Sequence, residues 1–136
     1  MSRFTLAALV AAALSMSACG SNPPTTPTPL PPSSVTDTFS GTLTVNGASS
    51  FPFSVSSQGA VYLTLTSVAD SSVVVGMSLG TWSVTGICSA VLSNDAAVQG
   101  VSITGSATNI GTLCARVYDV GKVVSPVDYQ ITVVHF

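Results

Sequence analysis

Short stretches in which apolar and polar residues alternate dominate the chain from residue 35 onward. In the stretch TFSGTLTVNG, one face carries the apolar side chains and a glycine: Phe39, Gly41, Leu43 and Val45. The other face carries threonines and a serine, and a repeat of two residues is typical of a half-buried strand. The Asn46-Gly47 pair that follows is a turn signal. The pattern therefore predicts a β-strand that ends in a tight turn.

The same alternation predicts eight further short strands. They cover residues 50–57, 60–68, 73–79, 81–84, 89–92, 98–105, 113–118 and 129–135. Pro52 points to an edge or bulge position, because proline cannot donate to a sheet ladder. The sequence Ser93-Asn94-Asp95 is interpreted as a turn. No window shows a helical repeat with caps, so we expect an all-β domain, an antiparallel β-sandwich or a related jelly roll.

The chain begins with a different pattern. Arg3 precedes a largely apolar run at residues 4–14, and small residues then lead to Cys19 in the sequence Met16-Ser17-Ala18-Cys19. The run is too short to span a bilayer as a helix, which needs about 20 residues. It fits the apolar region of a secretory signal peptide.

The four residues ending at Cys19 resemble the bacterial lipobox. The resemblance implies that residues 1–18 are a signal peptide, that Cys19 is acylated and that Cys19 becomes the mature N-terminus. Two alternatives remain open, namely an ordinary signal peptide cleaved near Ala18, with a free Cys19, and a retained helix. Gly20, where an Asp would favour inner-membrane retention, leads us to expect an outer-membrane protein facing the periplasm or the cell surface.

Residues 19–34 comprise the lipidated cysteine and a proline-, threonine- and serine-rich segment. The part after Cys19 holds six prolines and no charge, a composition that favours extended polyproline II chain. We expect a disordered tether that holds the domain of residues 35–136 away from the membrane. The alternative is a proline-rich ligand for a partner domain.

Charged residues make up 6% of the chain, which has five acidic and three basic side chains. Nucleic-acid binding needs clustered lysines and arginines that displace counterions, so we expect no nucleic-acid partner. The expected partners are the membrane, through the N-terminal lipid, and a glycan or a protein. No motif points to a cofactor.

Two cysteines, Cys88 and Cys114, remain once Cys19 is assigned to the lipid. In an exported domain two thiols most simply form a disulfide. Separate buried thiols are the alternative. A metal pair is less favoured, because His135 is the single histidine and the chain has no CxxC motif.

Residues 36–136 resemble the bacterial pre-peptidase C-terminal type of β-sandwich. Three segments carry the resemblance: DTFSGTLTVNG with FPFSVSSQGAVYLTL, then GTLCARVYDVG, and finally DYQITVVHF. The resemblance implies a non-catalytic module that assists export, folding, attachment or substrate binding. The stretch LGTWSVTGICSAVLSNDAA has no counterpart in the family pattern, and we expect the module to act without a peptidase beside it.

Few residues offer catalytic or metal chemistry. His135 is interpreted as a polar residue at the end of a terminal strand rather than a general base. A calcium site could draw on the carboxylates of Asp37, Asp95 and Asp119, although Asp119 also suits a turn. We expect no metal, and we expect Arg116 to pair with Asp119 or Asp128.

Three aromatic residues are candidates for ligand binding, and they are Trp82, Tyr62 and Tyr118. Such side chains can stack on sugars, but in a β-sandwich aromatic side chains also pack in the hydrophobic core or at its rim. The sequence therefore predicts a non-enzymatic, membrane-anchored envelope lipoprotein whose β-sandwich is a structural or binding module. The alternative is a glycan- or peptide-binding module for surface attachment.

Overall fold

The computed structural model describes residues 26–136, so the predicted signal peptide, Cys19 and the first part of the tether lie outside the described residues. Residues 26–34 are exposed and have no regular secondary structure. Eight strands follow: β1 (Val35–Leu43), β2 (Ala48–Val55), β3 (Gly59–Val68), β4 (Val75–Trp82), β5 (Cys88–Ala97), β6 (Ser102–Ala107), β7 (Gly111–Tyr118) and β8 (Val127–His135).

The strands form two four-stranded antiparallel sheets, with the orders β1-β8-β3-β6 and β2-β7-β4-β5. This division of eight strands between two facing sheets is the jelly-roll form of the β-sandwich, and it confirms the predicted fold class. Within residues 26–136 there is no helix long and apolar enough to cross a membrane.

The alternation seen in the sequence becomes the inner and outer faces of the two sheets. Leu63 and Leu65 of β3 and Ile131 and Val133 of β8 are fully buried, and Met77 of β4 meets them from the other sheet. The outer face of the β1-β8-β3-β6 sheet is rich in hydroxyl groups. One row crosses all four strands in register and consists of Thr38, Thr132, Thr64 and Ser102.

The sandwich is closed along one side by aromatic side chains. Phe39 of β1 and Phe51 of β2 stack across the two sheets with ring centroids 4.9 Å apart, and Tyr129 meets Phe51 edge-on. Stacked rings of this kind add to the free energy gained from their buried area. Pro52 lies on β2, which pairs only with β7, so its predicted edge position is confirmed.

The predicted strand boundaries are wrong in the middle of the chain. Residues 73–84 hold one strand, β4, because Gly80 and Thr81 continue the ladder. Ser93-Asn94-Asp95 is not a turn but part of β5. There the Asn94 Oδ1 atom accepts a hydrogen bond from the Ala96 N–H, 2.9 Å away, beside a bulge opposite Gly76.

Candidate binding cleft

The side of the sandwich opposite Phe39 and Phe51 is open. A cleft of about 380 Å³ lies there between β5, the edge of one sheet, and β6, the edge of the other. Its apolar walls come from five strands and from the loop between β6 and β7. The largest lining side chains are Val61, Leu79, Val91, Leu92, Ile110 and Leu113. A cleft of this size is within the range of small-ligand sites.

Gly105 keeps this cleft open on the β6 side. It occupies an inner-face position of β6, and a Cβ atom there would lie 3.2 Å from Leu92 Cδ1 and 3.4 Å from Leu79 Cδ1. A larger side chain at this position would occupy the space between the two leucines. The missing side chain therefore creates part of the cleft.

The path of β5 keeps the cleft open on the other side. Three successive outward positions of β4 carry small residues, namely Gly76, Ser78 and Gly80. The backbone of β5 lies directly against Gly80. A Cβ atom at Gly80 would overlap the carbonyl oxygen of Ser89 and lie 2.6 Å from its carbonyl carbon. Because the first residues of β5 lie over β4, they do not reach across to β6.

A disulfide holds β5 in this position. Cys88 and Cys114 are bonded to each other, which confirms the predicted pairing, and their Cα atoms are 5.8 Å apart. Cys114 is completely buried on β7, and Cys88 lies at the start of β5. The bond therefore spans β4, the strand between them.

The lining of the cleft contains no charged side chain among the described residues. Beyond its apolar residues, the lining side chains with polar groups are Thr81, Ser106, Thr108, Asn109 and Thr112. An ionised ligand buried here would lose hydration without gaining a partner of opposite charge. The cleft is therefore suited to an uncharged ligand with apolar groups.

The structure does not bring the three candidate aromatic residues together. Tyr62 lies on the outer face of β3, and its side chain is 43% exposed. Tyr118 and Trp82 lie on the outer face of the opposite sheet. They are at opposite ends of β4, because Tyr118 is in register with Gly76, and six residues of strand span about 20 Å. No common stacking platform results.

The side chain of Tyr118 makes its contacts within its own sheet. Its ring covers Gly76, where a Cβ atom would overlap it, and the guanidinium carbon of Arg116 lies 5.4 Å from the ring centroid. The Tyr118 hydroxyl donates to the Asp95 carboxylate. Burial, followed by the Asp95 carboxylate, raises the pKa of the Tyr118 phenol. The ring is thus in contact with both Gly76 and Arg116, and among the described residues Arg116 makes this contact instead of the expected ion pair with Asp119 or Asp128.

His135 is the last residue of β8, as the sequence interpretation has it, and its side chain is buried. Its side chain is 2% exposed and packs on Phe53, with ring centroids 5.1 Å apart. Its Nε2 atom lies 3.0 Å from Asp37 Oδ2 and donates to it, since a carboxylate can only accept. The Nδ1 atom faces the carbonyl oxygen of Phe136 at 3.4 Å. A histidine and a carboxylate do meet, but neither lines the cleft.

The three candidate calcium ligands lie apart. Asp37 bonds His135, Asp95 bonds Tyr118, and Asp119 holds a turn through its backbone contacts. Asp119 Oδ2 accepts from the N–H of Asn46 at 2.9 Å, and Oδ1 accepts from the three N–H groups of residues 121–123. These bonds lower the pKa of Asp119. Among residues 26–136, no three metal-ligating side chains cluster.

A second depression lies on the β1-β8-β3-β6 sheet. It has a volume of about 600 Å³ but is shallower and more polar than the cleft. Four of its polar side chains bond each other in pairs: Thr42 Oγ1 donates to Asp128 Oδ1 at 2.5 Å, and Gln130 Nε2 donates to Ser40 Oγ at 3.4 Å. Such groups are less available to a ligand, so the cleft is the better candidate site.

The cleft residues were missed from the sequence, where Leu79, Leu92, Gly105 and Leu113 look like ordinary strand residues. One signal does exist, since β6 carries Gly105 at an inner position where β3 and β8 carry large aliphatic residues. No protein-family model matches the sequence, and no curated protein gives a significant match to it. The resemblance to the pre-peptidase C-terminal family therefore stays a prediction that rests on the three segments named above.

Proposed function

We propose that the protein is a non-enzymatic lipoprotein of the bacterial cell envelope, anchored through Cys19, whose jelly-roll domain is a binding module. The observation that carries the proposal is the Cys88–Cys114 disulfide. The chain has three cysteines, so this bond leaves Cys19 as the remaining candidate for a lipid. Disulfides also persist mainly in oxidising compartments, which agrees with an exported domain.

Binding rather than catalysis is supported by the chemistry of the cleft. General acid-base or nucleophilic catalysis needs a base within hydrogen-bond reach of a reacting group. The single imidazole of the chain, His135, is buried against Phe53 and Asp37, away from the cleft. The apolar walls of the cleft are suited to holding a ligand.

The anchor is tested by the intact mass of the protein isolated from membranes, with and without reductant. We expect a chain that starts at Cys19, carries acyl groups and gains two hydrogens on reduction. Replacement of both Cys88 and Cys114 by alanine should retain the acyl groups and abolish the gain. An unacylated chain released to the medium would contradict the lipoprotein proposal.

A glycan-binding module is the second candidate function, and Tyr62 is the residue that favours it. It is exposed beside the hydroxyl-rich outer face that includes Thr64 and Thr132. A single tyrosine offers one stacking surface, however, because Trp82 and Tyr118 lie on the other sheet. Binding of neutral oligosaccharides that is lost in Tyr62→Ala and kept in Tyr62→Phe would establish this candidate.

A further inference from the structure

Four strands form the edges of the two sheets, and three of them carry features that discourage pairing with another strand. Charges, prolines and bulges are the usual protective devices. β1 contains the inward-placed Asp37, β2 contains Pro52, and β5 contains Asp95 and two register shifts.

β6 carries none of these devices. Its sequence SITGSA has no charge and no proline, and its register with β3 is unbroken from Ser102 to Ala107. An unprotected edge of this kind can accept another strand.

The free hydrogen-bonding groups of β6 can be assigned to particular residues. The N–H of Leu65 donates to the carbonyl oxygen of Val101 at 3.0 Å. Because pairing alternates along an antiparallel ladder, the main-chain groups of Ile103 and Gly105 face β3. Those of Ser102, Thr104 and Ser106 point away from the sheet, where no described strand meets them.

The unprotected edge borders the uncharged cleft. A strand added to β6 would continue the pleat, so every second side chain would enter the sandwich beside Gly105, over Leu79 and Leu92. The intervening side chains would join the hydroxyl-rich outer face, next to Thr104. A strand added to β6 would therefore need apolar side chains at every second position, facing the cleft, and polar side chains between them, facing solvent.

We propose that β6 and the adjoining cleft bind an extended, uncharged peptide segment of a partner protein by strand addition. The peptide pairs with the main chain of Ser102, Thr104 and Ser106 and places alternate apolar side chains into the cleft. Main-chain bonds then supply affinity, and the cleft selects the side chains, as in other cases of strand addition. This proposal adds a ligand class to the binding module proposed above, and the pairing itself does not require the lipid anchor.

The test uses random short peptides displayed on phage, selected against the full chain held on phospholipid vesicles. We expect the selected peptides to be uncharged, with apolar residues at every second position. Synthetic copies N-methylated at one set of alternate positions should lose about tenfold or more in affinity, while methylation at the other set leaves binding unchanged. Failure to select any such peptide would overturn the proposal.

Thr104→Pro is the matching protein variant. It removes an outward N–H that β3 does not use, and proline is tolerated at such edge positions. We expect peptide affinity to fall about tenfold or more, while Thr104→Ser, which keeps the N–H, binds like the wild type. Thermal unfolding of each variant shows whether the domain remains folded. Gly105→Leu, which fills the cleft without altering the main-chain groups, should also weaken binding.

Three other results would overturn the proposal. Equal binding to Thr104→Pro and wild type would show that no strand is added at β6. Concentration-dependent dimers that Thr104→Pro abolishes would identify a second copy as the occupant. Uptake of a fluorescent fatty acid that competes with every selected peptide and is unaffected by Thr104→Pro would identify a lipid site. The mass of the acylated chain is read separately, so loss of the anchor and loss of peptide binding are distinguishable.

Discussion

Cys88 and Cys114 are joined across a strand that lies between their own. β4 separates β5 from β7 in the sheet, yet the two Cα atoms are 5.8 Å apart. Strands two places apart in a flat sheet would be separated by about 9.5 Å. The first residues of β5 have therefore left the sheet plane, and they cross β4 at Gly80.

Removal of this disulfide should destabilise the domain. The cysteines are 26 residues apart in sequence, and the chain-entropy treatment gives about 3.5 kcal/mol for closing such a loop. We expect the Cys88→Ala/Cys114→Ala variant to lose roughly this free energy of unfolding in urea titrations. Reductant should lower the stability of the wild type and leave the double variant unchanged. Equal midpoints for the oxidised and reduced wild type would contradict this expectation.

Alanine substitution of two glycines should destabilise the domain to very different extents. In Gly80→Ala the new methyl group overlaps the backbone of Ser89, which the disulfide prevents from moving, so we expect a loss of about 2 kcal/mol or more. In Gly105→Ala the methyl group meets the ends of two leucine side chains at 3.2 and 3.4 Å. These ends can rotate, so the change should stay within about 1 kcal/mol. Urea unfolding of both variants makes the comparison, and equal losses would be inconsistent with the crossing at Gly80.

The pairing of Asp37 with His135 should contribute to stability. Asp37→Ala leaves the buried Nε2 group of His135 without its acceptor, and an unsatisfied buried donor costs about 1–3 kcal/mol. Asp37→Asn keeps an acceptor oxygen and should lose less. Chemical denaturation at neutral pH measures both variants. The same loss in Asp37→Ala and Asp37→Asn would show that the hydrogen bond to the oxygen is not what matters.

Acid should weaken the turn that Asp119 holds. Its hydrogen bonds with the N–H groups of Asn46 and of residues 121–123 lower its pKa below the usual 3.8. A carboxylate whose pKa is lower in the folded than in the unfolded protein stabilises the folded state at pH values above its unfolded-state pKa. This stabilisation is lost as the pH falls through the folded-state pKa. Asp119→Asn should therefore flatten the decline of stability below pH 3.8. Unfolding midpoints across the acid range test this, and an unchanged slope would count against it.

Much of the fold follows from the sequence because strand alternation is local. The faces of β1, β2, β3 and β8 were predictable from side chains two residues apart, and so was the edge position of Pro52. The all-β class, a sandwich or a related jelly roll, follows from many short strands without a helical repeat, whereas the strand order was not predicted. The disulfide was predictable because few other uses remained for Cys88 and Cys114. None of these inferences required knowledge of which strands meet.

The tertiary structure decided the features that depend on contacts between distant residues. The glycines at positions 76 and 80 lower the local preference for a strand. In the structure the ring of Tyr118 covers Gly76, and the backbone of β5 covers Gly80. His135 ends β8 as its position in the sequence suggests, but only the pairing of β1 with β8 places it beside Asp37 and buries it. The missing side chain at Gly105 leaves a cleft only because the first residues of β5 lie over β4. Sequence alternation determines which side chains point inward, whereas the crossing of β5 over β4 decides where the two sheets fail to close.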